Sequence, residues 1–227
     1  MTYVKKSHTK AYLALLLAII LIVAAGVTAW AVLSSPAPPT VGLKAGDTFT
    51  YSIKGNVMVF EEGTEPSEGF ERFNQTDYFK LTITDVTGTN VSTHSVWRFL
   101  NGTELTYDEN FDVAKGKENL VFWAIYPSDL NINSLLRPNG HDETRVNNTY
   151  SRAYTSGERE TNFWFINTPF QDRLDPTGST LMYDYRNIYF DRATGMLVSL
   201  ENFQAFNNPE RNEEVVWTLI DTNVWDV

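Results

Sequence analysis

Beyond residue 40 the chain alternates apolar and polar side chains with a period of two. Phe49, Tyr51 and Ile53 alternate with Thr50, Ser52 and Lys54, and Phe79, Leu81 and Ile83 with Lys80, Thr82 and Thr84. That period puts one set on each face of an extended strand. The turn TGTN and the returning stretch NVSTHSVWRFL complete a hairpin with the second of these runs. A second hairpin joins TLMYDYRNIYF to MLVSLENFQAF through DRATG, where Asp191 opens the turn and Gly195 supplies a left-handed position. EEVVWTLIDTNVW forms a last strand, and others are expected around Leu105–Phe111, Leu120–Ile125, Tyr150–Tyr154 and Asn162–Ile166. PSDLNINSLLRPNG carries signals for one short helix, with Ser128 as its cap and Pro138-Asn139-Gly140 as its stop. The acidic stretch EEGTEPSEGFE reads as a mobile excursion between two strands. No strand–helix–strand rhythm appears, which argues against parallel α/β folds. The expected fold is mainly β, an antiparallel curved sheet, half-open β-barrel or sandwich with one short helix.

The first 40 residues follow another pattern. From Ala11 to Leu33 there is no charged residue. As a helix this run spans about 34 Å, enough to cross a hydrocarbon core of roughly 30 Å. Lys5, Lys6 and Lys10 precede it, and the next charge is Lys44, which predicts the N-terminus inside and the C-terminus outside. The run is longer than a signal-peptide core, although Ala29-Trp30-Ala31 has the small-x-small form of a cleavage site. Pro36, Pro38 and Pro39 then make a semi-rigid extended spacer. The expected organisation is a cytoplasmic basic leader (1–10), a transmembrane helix (11–33), a Pro-rich spacer (34–41) and an extracytoplasmic β-domain (42–227). The protein is thereby expected in the cell membrane as a single-pass signal anchor.

Charge narrows the partners. All 28 Asp and Glu follow the apolar run, so the domain is more acidic than the whole-chain net charge of -10. Such a surface repels phosphates, and nucleic-acid binding is set aside. The absence of cysteine excludes disulfides, thiolate metal sites and cysteine nucleophiles.

Few residues carry recognisable chemistry. His8, His94 and His141 show no metal-ligand spacing, and neither a GxSxG elbow nor a Gly-rich phosphate loop is present. Asp108-Glu109-Asn110-Phe111-Asp112 opens like a calcium loop, but Val113 replaces the required Gly and Asn119 the bidentate Glu. Asp172 and Asp175 are candidates for a carboxylate pair, though nothing in the sequence makes them converge. No cofactor, metal or catalytic residue is expected. Four sequons mark Asn74, Asn90, Asn101 and Asn147 as glycosylation candidates, all at turns or loops after the membrane run. Tyr183, Tyr185 and Tyr189 share one strand face and are candidate ligand-facing aromatics. The tryptophans spread over other strands read as core.

Two resemblances add to this. The basic leader, Lys10-Ala11 and the long apolar helix resemble archaeal type IV pilins, in which a peptidase cuts before the helix; Lys10 and Ala11 would then be the processing site. The acidic residue many pilins carry after the cut is absent, since Ala14, Leu15 and Leu16 stand there. The opening GDTFTYSI and the late YFDRATGMLVSLE resemble archaeal surface proteins whose domain is similar to lipoprotein carriers. That resemblance implies a curved sheet with an apolar groove. The expected function is a non-enzymatic, membrane-anchored binding or interaction module, with an apolar ligand or other surface proteins as partners. The alternative is a pilin-like subunit of a homo-oligomeric filament.

Overall fold

The structure, a computed structural model, describes residues 38–116, 125–141, 143–169, 181–207 and 209–227. The apolar run, with Lys10 and Ala11, lies outside them. Among the described residues no helix is long and apolar enough to cross a membrane.

Among the described residues nine strands form one antiparallel sheet: β1 (Thr48–Val59), β2 (Thr76–Thr87), β3 (Asn90–Phe99), β4 (Glu104–Asp112), β5 (Asn148–Tyr154), β6 (Gly157–Pro169), β7 (Leu181–Asp191), β8 (Leu197–Phe206) and β9 (Arg211–Thr222). One short helix, α1 (Glu71–Asn74), lies between β1 and β2. The spatial order is β4-β3-β2-β1-β9-β8-β7-β6-β5. Sequence neighbours pair as hairpins, and β1 pairs with β9, so both ends of the domain meet at the centre of the sheet. β4 and β5 are the two edges, which makes the sheet open rather than a closed barrel. The connection from β4 to β5 must pass from one edge to the other. Its Val113, Ile125, Tyr126, Leu136 and Val146 are buried in the core. An open sheet has one apolar face to cover, and this connection covers it.

Alternation works as expected in the centre. Phe49, Tyr51 and Ile53 of β1, Phe79, Leu81 and Ile83 of β2, and Val215, Trp217 and Leu219 of β9 are buried on one face. Trp97 of β3 joins them, its ring centroid 6.2 Å from Phe79 and 6.3 Å from Trp217.

Because the strands run antiparallel, the sheet has two ends. At one end β1 begins, β9 finishes and the β7–β8 turn lies. There the backbone N–H of Gly46 donates to Ile83, that of Ser128 donates to Thr40, and Trp225 packs on Phe49. The compact unit starts at Pro39, so the last residues of the expected spacer already belong to the fold. The β7–β8 turn is built as its sequence predicts. The Asp191 carboxylate accepts hydrogen bonds from the backbone N–H and hydroxyl of Thr194, and Gly195 has φ +75°. A Cβ on Gly195 would lie 1.9 Å from the Tyr126 carbonyl oxygen.

Two expectations are corrected. PSDLNINSLLRPNG forms turns and isolated bridges, not a helix: Asp129 (φ 57°) and Asn133 (φ 69°) take left-handed conformations that end any helix. Ser128 does not cap; its hydroxyl is 2.9 Å from that of Thr40, and Leu135 bridges Arg145. The acidic stretch after β1 is not a free excursion, because Phe70 is buried and α1 follows directly. Of the strand expected around Leu120–Ile125, only Ile125 is described, bridged to Met196.

Candidate functional site

The other end of the sheet differs in one respect that alternation exposes. On β8 the core-facing row runs Leu200, Asn202, Gln204, opposite Trp217, Val215 and Glu213 of β9. On β7 the same row holds Ile188, Arg186 and Asp184. Toward this end the inward row thus turns from apolar to polar. At the same end Tyr183, Tyr185 and Phe203 face away from the core. A sheet whose only task was to bury a core would place these the other way round.

Two ion pairs stabilise the inward polar row. Arg186 donates to both oxygens of Asp184, at 3.0 and 2.6 Å. Arg211 Nε donates to Glu213 Oε1 at 2.8 Å. Asp184 and Glu213 are both buried, so each needs its partner: an isolated carboxylate there would be costly to desolvate. The backbone N–H of Ser67 also donates to Glu213 Oε1, and Arg211 Nη2 donates to the Ser67 hydroxyl. This ties the acidic stretch after β1 down onto β9. The stretch then continues into Phe70 and α1, whose Asn74 Oδ1 accepts a hydrogen bond from the backbone N–H of Gly55. Gly55 faces the Phe70 ring so closely that a Cβ would lie 2.7 Å from it.

Between α1 and the sheet lies a cavity of 330 Å³. Phe70, Phe73, Trp97 and Val215 form its apolar walls. Asn202, Gln204 and Glu213 form its polar floor, and Glu68 and Arg72 stand with Ser67 at the α1 side. Trp97 is held by its indole N–H, which donates to Thr76 Oγ1 at 2.8 Å, and by Phe73 stacked at 6.2 Å. Asn202 Oδ1 is buried yet has no hydrogen-bond partner. A buried polar atom left unsatisfied costs about 1–3 kcal/mol, a cost Asn202 shares with Arg192 Nε and Trp225 Nε1 at the opposite end of the sheet. The cavity sits near the lower bound of ligand sites, roughly 300–1,000 Å³. Two shallower depressions, of 380 and 470 Å³, lie at the opposite end, around Arg159. Arg159 is already engaged there by Asp191 and by the Trp225 ring.

The three tyrosines are not in this cavity. Tyr183, Tyr185 and Tyr189 stand half-buried on the outer face of the sheet. Tyr189 packs against Phe163, ring centroids 4.9 Å apart, and both contact Tyr150. Burial raises the pKa of the Tyr189 hydroxyl, and Glu201 adds to the effect. Phe165 and Tyr150 leave 44% and 46% of their surfaces exposed, so among the described residues this outer aromatic face is uncovered. The outer face of β2–β4 is polar instead, with His94 paired to Asp108 and Arg98 to Glu104.

Of the remaining candidates, Asn74, Asn90, Asn101 and Asn147 are all exposed. Asn101 Oδ1 accepts from both the backbone N–H and the hydroxyl of Thr103, in the tight turn between β3 and β4. Asn147 Oδ1 accepts from the backbone N–H of Phe165. Asp172 and Asp175 lie outside the described residues. His141 is exposed in its loop, and among the described residues no cluster of ligating side chains is arranged to hold a metal. The groove residues themselves come from three distant parts of the chain. The usable sign in the sequence was the run ENFQAF, whose alternation is inverted relative to Leu197–Leu200. No match is found when the chain is compared with known protein families, with curated proteins or with solved structures.

Proposed function

We propose that the protein is a membrane-anchored extracytoplasmic binding module, without catalytic activity, whose ligand site is the groove between α1 and strands β3, β8 and β9. The observation that carries this reading is the inward polar row of β7 and β8, which places Asn202 and Gln204 on the floor of the groove. The mixed lining favours a ligand with both an apolar face and hydrogen-bonding groups over a purely apolar one.

The alternative is a pilin-like filament subunit, processed after Lys10. The uncovered aromatic face of Tyr150, Phe163, Phe165 and Tyr189 favours it, because aromatic residues are enriched where protein surfaces pack together. The N-terminal peptide of protein isolated from its native membranes separates the two. The binding module predicts a start at Met1 or Thr2. A start at Ala11 would overturn the anchor and move the outer face to the centre of the function.

A further inference from the structure

We propose that Asn101 is the acceptor of an N-linked glycan, and that of the four sequons it alone is open to a transferase once the domain has folded. The inference rests on the extracytoplasmic placement of the domain and is independent of the groove. Exposure does not separate the four asparagines, because all of them are exposed. The hydroxyl of each motif does. A transferase that reads Asn-x-Ser/Thr has to engage the amide and the hydroxyl two residues on together, and it finds such motifs on surface loops.

At Asn101 the two groups already meet. Its Oδ1 accepts from the Thr103 hydroxyl at 2.7 Å and from the Thr103 backbone N–H at 2.9 Å. Both bonds fall on Oδ1, so Nδ2, the atom that would react, is not used by the turn. The Gly102 N–H donates to the Phe99 carbonyl at 2.8 Å and closes the turn. Gly102 has φ +84°, and the space where a Cβ would stand is open. Asn101, Gly102 and Thr103 are all exposed and belong to neither β3 nor β4.

The other three hydroxyls are committed to the fold, and each is half-buried. Thr76, which follows Asn74, donates to the Arg72 carbonyl and accepts from the Trp97 indole N–H. Ser92, which follows Asn90, accepts from Asn110 Nδ2 in the middle of a strand paired on both sides. Thr149, which follows Asn147, donates to Asn162 Oδ1 at 2.7 Å. Asn74 and Asn147 also hold the backbone N–H groups of Gly55 and Phe165. Freeing any of these motifs breaks hydrogen bonds worth about 1 kcal/mol each and opens part of the sheet.

The chemical step is a substitution. Asn101 Nδ2 bonds to the anomeric carbon of a saccharide carried on a lipid pyrophosphate. The bond from that carbon to the pyrophosphate oxygen breaks, its electron pair leaves with the lipid pyrophosphate, and the amide proton passes to a base of the transferase.

The test maps glycopeptides by mass in the full chain isolated from its own membranes. In parallel, intact cells are treated with a membrane-impermeant amine reagent that reads Lys54 and Lys80, both exposed. The lysines are expected to be labelled, Asn101 to carry the glycan, and Asn74, Asn90 and Asn147 to be bare. Thr103→Ala should abolish the modification, Thr103→Ser should keep it, and Thr149→Ala should leave the pattern unchanged. Labelled lysines with a bare Asn101 would overturn the acceptor and leave the placement standing. Unlabelled lysines would overturn the placement and the acceptor with it. Equal modification of Asn101 and any other sequon would overturn selection by the folded domain.

Discussion

The two ends of the sheet are built from the same strands and solve opposite problems. Where the chain enters, several buried polar groups are used internally, although Tyr154 OH, Thr161 Oγ1, Arg192 Nε and Trp225 Nε1 are buried there without a partner. Tyr51 is fully buried and donates to the Leu197 carbonyl, Asp191 is shared among Thr194 and Arg159, and Gly195 lets the turn pass under Tyr126. At the other end, buried polar side chains are grouped around a cavity, and one acceptor is left over. What sets the second end apart is not an orphaned atom but a cavity under α1 with polar side chains on its floor, where the first end is closed by backbone and aromatic packing. Substitutions of equal size should therefore behave differently at the two ends.

The largest effect is expected at the sealed end. Gly195→Ala must strain a backbone at φ +75° and push a methyl group against the Tyr126 carbonyl. A loss of about 4 kcal/mol is expected, read by denaturant unfolding. A loss below about 1 kcal/mol would show that this end yields more easily than the packing implies. Next comes Gly55→Ala at the open end. Its Cβ meets the rim of the Phe70 ring rather than backbone, and that ring borders a cavity. The cost should be smaller, about 1–2 kcal/mol, and ligand binding should weaken as Phe70 moves into the groove.

Tyr51→Phe distinguishes the ends by pH. Burial, with a smaller contribution from Tyr154, pushes the Tyr51 hydroxyl well above its ordinary pKa of 10.0. The unfolded chain ionises this group at its ordinary pKa and the folded one does not. Stability is therefore full below about pH 10 and falls as pH rises beyond it. The substitution should cost about 1 kcal/mol near neutrality, by orphaning the Leu197 carbonyl, and should flatten the alkaline decline. An unchanged alkaline limb would mean that Tyr51 is not the group that resists ionisation. The smallest effect on stability, zero or a gain of about 1 kcal/mol, is expected for Asn202→Leu. A clear loss there would erase the difference between the ends.

Much of the fold was legible because hydrophobic alternation and turn chemistry are local. Phe79, Leu81 and Ile83 state their strand outright, and Asp191 with Gly195 states its turn. The helix expected after Pro127 failed for a non-local reason. Its capping residue, Ser128, is drawn to Thr40, 88 residues away, and Leu136 and Val146 are pulled into the core. The acidic stretch after β1 reads as solvated because its glutamates outnumber its single Phe70, yet Gly55, Glu213 and Arg211 hold it in place. The groove was legible only as an irregularity: Asn202 and Gln204 inward, Phe203 outward. Which face of a strand is the core face depends on its partners, and those the sequence does not name.

The central claim is that the open end holds the ligand. It is tested most directly by native mass spectrometry of the full chain isolated from its own membranes, beside Gln204→Trp, which fills the groove, and the control Lys80→Ala. A bound mass in the parent and in Lys80→Ala that disappears in Gln204→Trp is the predicted result. A bound mass that persists in Gln204→Trp, or none in any of the three, would contradict it.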